Sequence, residues 1–235
     1  MENTAEKFIE YLSTKARVIL IGGLAVIAHG FSRTTKDADI WMEPCADTGR
    51  FSVILFSALS FNKKLSLYDL RNQSVIKAGD SKIIESIIDR DGVIRIVGLD
   101  RPVDVFRIPN NMDAVEFEII WARSEDISKN IKVLDEVDLL LTKEDAGRSH
   151  DLADITFLES KIRKKYCDEL KSADYARALS LFSRYYDYAT CGAALENKNE
   201  DVRKLSIKHL NELKDSGDPF AIEILGQISG KVQSS

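Results

Sequence analysis

The sequence has few cysteines and few histidines, and each shortage argues against certain kinds of site. Its 235 residues include three cysteines, Cys45, Cys167 and Cys191, which lie far apart. No two of them have the spacing of zinc ligands, and their odd number argues against a disulfide framework. A reducing cytoplasm is therefore the expected location. The three histidines are also scattered, which argues against a zinc site or a histidine-based nucleophile.

Long hydrophobic runs and an excess of positive charge are missing too. The longest apolar segment, 18–28, is too short to cross a bilayer and contains two glycines. The net charge is −5, so the chain as a whole does not attract nucleic acid, although a local basic patch would. The polar start, MENTAEKF, is unlike a signal peptide. We expect no membrane partner.

The segment VILIGGLAVIAHGFSRTTKDADIWME carries the main structural signal. Residues 18–21 are apolar and branched, which predicts a buried strand. Gly22 and Gly23 end this run, and the apolar residues 24–28 predict a short buried helix that ends near a glycine. A polar loop follows, and residues 37–42 predict a second strand.

Acidic residues on this second strand indicate a metal site. Side chains alternate along a strand, so Asp37 and Asp39 are expected on the same face. A divalent cation would relieve their repulsion, and oxygen ligands favour Mg²⁺ or Mn²⁺. Asp104 lies in the middle of a later predicted strand, where it needs a partner such as the same metal. The Gly22-Gly23 turn at a helix start predicts a phosphate cradle.

Each of these residues also has a plain structural interpretation. The glycines suit an ordinary turn between strand and helix, and the aspartate pair suits a solvated loop. Asp104 alone could be a charge that protects an edge strand from aggregation. The segment Asp89-Arg90-Asp91 repeats the Asp-x-Asp pattern, yet the glycine after it predicts a turn. The Asp-x-Asp pattern therefore indicates a metal site only in combination with the Gly-Gly turn and the later strand aspartate.

These motifs resemble the nucleotidyltransferase superfamily with the DNA polymerase β-like fold. Its motif combines a Gly-Gly or Gly-Ser turn, an Asp-x-Asp strand and a third carboxylate, matched here by Gly22-Gly23, Asp37-Ala38-Asp39 and Asp104. The resemblance implies an α/β fold, a nucleotidyltransferase-like mixed β-sheet flanked by helices, with a helical C-terminal region. It also implies two Mg²⁺ ions held by the three aspartates, and transfer of a nucleotide monophosphate from an NTP to a hydroxyl acceptor.

Further residues are similar to the AbiEii-type branch, which includes toxins of type IV toxin–antitoxin systems. The matching residues are Arg33-Thr34-Thr35, Lys143, Gly147, Arg148, Asp151 and Asp154. On this resemblance Arg33 and Lys143 bind the nucleotide phosphates. The alternatives are a salt bridge for Arg33, a solvated helix position for Lys143 and an i,i+3 pair between Arg148 and Asp151.

The resemblance covers roughly the first two-thirds of the chain. We predict a catalytic domain at 1–148 and a helical region at 149–235. The acceptor is expected to be tRNA if the protein is a toxin, with a cognate antitoxin as partner. The alternatives are a small-molecule nucleotidyltransferase of the antibiotic-modifying kind and a non-catalytic nucleotide-binding module. The basic residues Lys161, Arg163, Lys164 and Lys165 fit either a solvated helix face or an RNA contact.

Other elements follow from hydrophobic periodicity and from capping residues. Expected are helices at 3–16 (capped by Asn3), at 50–60 and from 135, strands at 115–121 and 131–134, a hairpin of 93–97 with 103–108, and helices from Ser149 onward with a break at 216–219.

Overall fold

The computed structural model describes residues 4–43, 46–62, 64–77, 79–109 and 112–232. The chain divides into two compact units, Met1–Ile155 and Thr156–Ser235. The sequence placed the division slightly earlier, between residues 148 and 149. Within the described ranges, no helix combines the length and the apolar character that crossing a membrane requires.

The first unit is an α/β structure in which helices flank one mixed sheet of eight strands, so the coarse fold class is confirmed. Its strands are β1 (Val18–Ile21), β2 (Ala38–Met42), β3 (Ser66–Asp69), β4 (Ser74–Ile76), β5 (Val93–Val97), β6 (Val103–Phe106), β7 (Glu125–Ser128) and β8 (Ile131–Val133). Its helices are α1 (Ala5–Ser13), α2 (Gly22–Ala28), α3 (Thr48–Phe61), α4 (Ser81–Asp91), α5 (Phe117–Arg123) and α6 (Glu136–Ala146), followed by the start of α7 (Leu152–Leu170).

The strand order is β4-β3-β5-β6-β2-β1-β8-β7. β1 pairs antiparallel with β2, and β2 pairs parallel with β6. This register places Ile21 opposite Asp39, and Asp39 opposite Asp104. The acidic residues are therefore brought together by backbone pairing between neighbouring strands. β6 lies between β5 and β2, so Asp104 is not the edge-strand charge that one interpretation allowed.

Most elements near the site were predicted correctly. All four residues of β1 are buried, as expected for an apolar run within a sheet. α2 ends at Ala28, and Gly30, with φ +102°, takes the left-handed backbone that follows the helix. The helix at 50–60, the hairpin of β5 with β6, strand β8 and helix α6 are likewise confirmed.

The strand predicted at 115–121 is wrong, because this segment is helical. Asp113 and Glu116 form a capping box that starts a 3₁₀ turn, and α5 follows it. Phe117 and Ile120 are buried at a helical spacing of three, whereas Ile119 is exposed. The alternating polar residues imitated the two-residue period of a strand.

Two smaller differences concern helix ends. The first helix spans Ala5–Ser13 and is capped by Thr4, while the predicted cap Asn3 lies outside the described residues. The segment Asp89-Arg90-Asp91 is the last turn of α4 rather than a turn before a strand. Gly92, with φ +70°, caps that helix at its C-terminus.

The second unit contains the rest of α7 and four further helices: α8 (Tyr175–Phe182), α9 (Tyr188–Leu195), α10 (Glu200–Asp215) and α11 (Pro219–Val232). The side-chain amide of buried Asn197 donates to the carbonyls of Leu170 and Ala173 at 2.7 and 2.9 Å. Asp218 accepts hydrogen bonds from the first backbone N–H groups of α11 and caps it. The break predicted at 216–219 is confirmed.

Candidate active site

Three carboxylates lie together beside the ends of β2 and β6. The ligand oxygens of Asp37, Asp39 and Asp104 all lie within 4.8 Å of one another. Asp37 directly precedes β2, and Asp39 and Asp104 face each other across the parallel pair. The three aspartates that the sequence selected therefore form one cluster, whose oxygen-only donor set suits Mg²⁺ or Mn²⁺.

Asp39 experiences the largest electrostatic conflict in this cluster. Burial, followed by the charges of Asp37 and Asp104, raises the pKa of Asp39 to about 7. The positive charge of Lys143 and a hydrogen bond from the backbone N–H of Gly23 act in the opposite direction. At neutral pH the cluster therefore holds more negative charge than its protein neighbours balance, and a bound divalent cation would relieve this excess.

The two glycines allow the chain to pass close to the carboxylates. Gly22 has φ +59°, and a Cβ atom placed on it would lie 2.1 Å from Oδ2 of Asp39. A Cβ on Gly23 would lie 2.7 Å from Oγ1 of Thr35. That hydroxyl donates to the backbone carbonyl of Asp37 at 3.0 Å. Steric contact therefore requires glycine at both positions, beyond the needs of an ordinary turn.

Arg95 is a site residue that no sequence motif indicated. Its Nε and Nη2 atoms each donate to one oxygen of Asp104 at 2.7 Å, and Nη2 also donates to Asp37 at 3.2 Å. Asp104 was expected to need a metal as its partner, but Arg95 already compensates its charge. Each carboxylate oxygen keeps a second lone pair for a metal ion. The hairpin register pairs Arg95 with Asp104, so the predicted hairpin contained the signal for this contact.

Arg33 and Lys143 meet in a second, buried ion-pair network. Lys143 Nζ lies 2.7 Å from Asp151 Oδ1 and 3.0 Å from Asp154 Oδ2, and Arg33 pairs with Asp154. Lys143 is thus a buried residue and not a solvated one. Asp151 pairs with Lys143 instead of Arg148, the partner suggested by helical spacing.

Both networks line a cavity of about 700 Å³, a size typical of small-molecule sites. The exposed residues Lys36 and Arg148 also line it. Oδ2 of buried Asp151 has no hydrogen-bond partner among the described residues. Anionic and cationic side chains therefore face the same space, as an ionised phosphate ester with a bound cation would require.

We expect Gly22→Ala to weaken Mg²⁺ binding by about tenfold or more, because the new methyl group displaces the carboxylate of Asp39. Isothermal titration calorimetry measures the affinity. Gly30→Ala is the matched control, because Gly30 also has a positive φ but a Cβ there meets nothing within 4 Å. Both variants carry backbone strain, and only Gly22→Ala disturbs the cluster. Equal Mg²⁺ affinities for the two variants would contradict this account.

The pKa of Asp39 predicts a pH-dependent stability of the metal-free protein. The pKa is about 7 when folded and about 3.8 ordinarily, so the folded state binds the proton more tightly. This group's contribution to stability therefore falls as pH rises from about 4 to 7. In EDTA, the melting temperature of the wild type should fall relative to that of Asp39→Asn between pH 5 and pH 8, and Mg²⁺ should restore it at pH 8. If the melting temperatures of the two proteins in EDTA changed equally with pH, the raised pKa of Asp39 would be contradicted.

Comparison of the sequence with models of known protein families found no match, and comparison with curated proteins found none either. A function can therefore be inferred only from the residues themselves. These residues form three clustered carboxylates, a close-approach glycine pair, two ion-pair networks and the cavity that they share.

Proposed function

We propose that this protein is a metal-dependent nucleotidyltransferase with a nucleotidyltransferase-type fold, related to the AbiEii-type branch. The observation that carries the proposal is the convergence of Asp37, Asp39 and Asp104 on a cavity that Lys143 and Arg33 also line. These are the residues on which the sequence resemblance depends, although they are separated by as much as 110 positions (143 − 33).

In this proposal the three aspartates hold Mg²⁺ or Mn²⁺. Bound there, the cation would supply charge neutralisation for the phosphates and activation of the acceptor hydroxyl. Asp37 and Asp39 face the nucleotide. Asp104, on the neighbouring strand, serves the acceptor side as a ligand or as a base. Arg95 fixes the orientation of Asp104 through its two hydrogen bonds.

The cationic residues would bind the phosphates of the NTP. Lys143 already shares its charge between Asp151 and Asp154, which holds its ammonium group at the cavity wall. Arg33 is positioned in the same way by Asp154. Such preorganised cations stabilise charge that develops on the leaving pyrophosphate without reorganising during the reaction.

The backbone of Gly22 and Gly23 would serve the carboxylates as well as the phosphates. The N–H of Gly23 donates to Asp39, so its first function is to orient a metal ligand. Gly22 also lines the cavity, so its backbone would lie next to a phosphate bound there. Gly23 follows it in the same turn, and we propose both glycines as nucleotide-binding residues.

The first test of this function is metal-dependent turnover. We expect pyrophosphate release from an NTP to require Mg²⁺ or Mn²⁺. Asp37→Asn and Asp39→Asn should reduce it by more than the roughly 10–100-fold typical of changes outside the ligand set. Asp104→Asn should lose turnover more than nucleotide affinity, because its role is on the acceptor side.

Asp91→Asn is the matched control, since it alters the other Asp-x-Asp segment, whose carboxylate pairs with Arg90. It should leave turnover unchanged. NTP binding that is equal in EDTA and Mg²⁺ and unaffected in the two ligand variants would refute the metal site. Metal-dependent binding without any pyrophosphate release would favour the non-catalytic nucleotide-binding module.

The acceptor is proposed to be RNA, with tRNA as the first candidate and a cognate antitoxin as the regulatory partner expected of such a toxin. The basic run in α7 gives less support than expected, because Arg163 pairs with Asp187 at 2.6 Å and stacks on Tyr188. The exposed cations Lys36 and Arg148, at the cavity itself, are better placed to contact an acceptor phosphate.

An RNA acceptor predicts strong salt dependence. We expect transfer of label from α-³²P-labelled NTPs to total tRNA to fall steeply between 50 and about 200 mM salt. Lys36→Ala combined with Arg148→Ala should weaken labelling about tenfold and flatten the salt dependence. The double variant Lys164→Ala with Lys165→Ala tests the solvated end of the basic run, since both lysines are exposed.

The two variants separate the possible acceptor surfaces. Loss of labelling only in the Lys36 and Arg148 variant assigns the acceptor contact to the cavity, whereas loss only in the lysine pair assigns it to α7. If no NTP labels RNA but a small hydroxylated molecule is modified, the small-molecule nucleotidyltransferase replaces the toxin hypothesis.

A further inference from the structure

A second group of metal-ligating side chains lies outside the aspartate cluster. It consists of His29, which caps the C-terminus of α2, Glu125, which begins β7, and Glu136, which begins α6. One ligand atom from each lies within 4.8 Å of the others. His29 Nδ1 is 3.7 Å from Glu136 Oε1 and 4.0 Å from Glu125 Oε2. We refer to these three residues as the histidine cluster.

A hydrogen bond to the backbone determines which ring nitrogen of His29 carries the proton in the neutral form. Nε2 lies 2.7 Å from the carbonyl oxygen of Leu134, which can only accept, so Nε2 carries the proton. In the neutral ring Nδ1 is then unprotonated and directed toward two carboxylates. Metal-bound histidines usually donate their other N–H to a carbonyl or carboxylate in this way, which orients the ring.

Two of the ligand side chains are enclosed by the protein. The side chains of His29 and Glu136 are 1% and 3% exposed. Glu125 is 47% exposed at its side chain and therefore leaves a path from solvent to the cluster.

We propose that the histidine cluster is a structural site for a divalent transition-metal ion of the Zn²⁺ class, with water as the remaining ligand. One imidazole nitrogen and two carboxylate oxygens suit Zn²⁺, whereas Mg²⁺ prefers the all-oxygen set of the aspartate cluster. Ligand atoms around tetrahedral Zn²⁺ lie about 3.3 Å apart. The observed distances of 3.7 and 4.0 Å need only a small contraction.

The ion would join the ends of two helices that serve the active site. α2 starts at Gly22 and ends at His29, while α6 starts at Glu136 and carries Lys143. These helices contact each other. A metal that fixes the C-terminus of α2 against the N-terminus of α6 therefore sets the spacing between the glycine turn and Lys143 at the opposite ends.

Calorimetric titration with Zn²⁺ in excess Mg²⁺ tests this site, because Mg²⁺ saturates the aspartate cluster. The wild type should bind one equivalent of Zn²⁺, and the affinity should fall at least about 100-fold in His29→Gln and in Glu136→Gln. Asp39→Asn should retain this equivalent. His209→Gln is the matched control, because it removes the other His–Glu contact, in which His209 lies 2.8 Å from Glu212.

Two further measurements test Zn²⁺ binding at the histidine cluster if a buried variant fails to fold. Glu125→Gln changes the exposed ligand and should weaken Zn²⁺ binding in a folded protein. X-ray absorption of the Zn²⁺-loaded wild type should show nitrogen and oxygen ligands at about 2.0 Å and no sulfur. Absence of Zn²⁺ binding by the wild type, or binding that survives both His29→Gln and Glu125→Gln, overturns the proposal. None of these measurements requires turnover, and Asp39→Asn separates this site from the aspartate cluster, so a failure of this proposal is distinguishable from a failure of the proposed function.

Discussion

The charge balance among Asp37, Asp39 and Asp104 is the constraint on which the candidate active site depends. Three carboxylates within 4.8 Å of one another repel strongly in a partly buried setting. Arg95 compensates Asp104 and part of Asp37, while Asp39 is left with a pKa near 7. The protein thus stabilises the cluster enough to fold, yet keeps an excess of negative charge that would attract a divalent cation.

The sheet supplies the rigidity that such a cluster needs. Asp39 and Asp104 are neighbours because β2 and β6 pair in parallel with that register, and Arg95 is added by the next strand. A one-residue slip of either strand would turn the carboxylates to the other face. The fully buried side chains of Ile40, Trp41 and Met42 resist such a slip, because it would move each of them into space packed around a neighbour of different size.

Ion pairs extend this arrangement from the sheet to the helices. Lys143 on α6 influences Asp39 electrostatically and is itself held by Asp151 and Asp154. Arg33, in the loop before β2, shares Asp154 with it. A buried charge that loses one partner is strongly destabilising, so these residues couple the geometry of the cavity to the stability of the first unit. The proposed metal at the histidine cluster would act on α6 from its N-terminus and would join it to the C-terminus of α2.

The sequence by itself determined the local elements and the pairing of Asp37 with Asp39, because both are encoded over short distances. Apolar runs, glycine positions and caps predicted β1, α2, α6 and the hairpin, and strand alternation placed Asp37 and Asp39 on one face. At 115–121 the residues fit both the period of a strand and that of a helix. The strand prediction there was wrong, since burial of Phe117 and Ile120 favoured a helix. Only the tertiary structure decided contacts between distant segments. These include the partner of Asp104, the shared carboxylate of Arg33 and Lys143, and the meeting of His29 with two glutamates about a hundred positions away, because strand order and helix packing, rather than sequence spacing, set such distances.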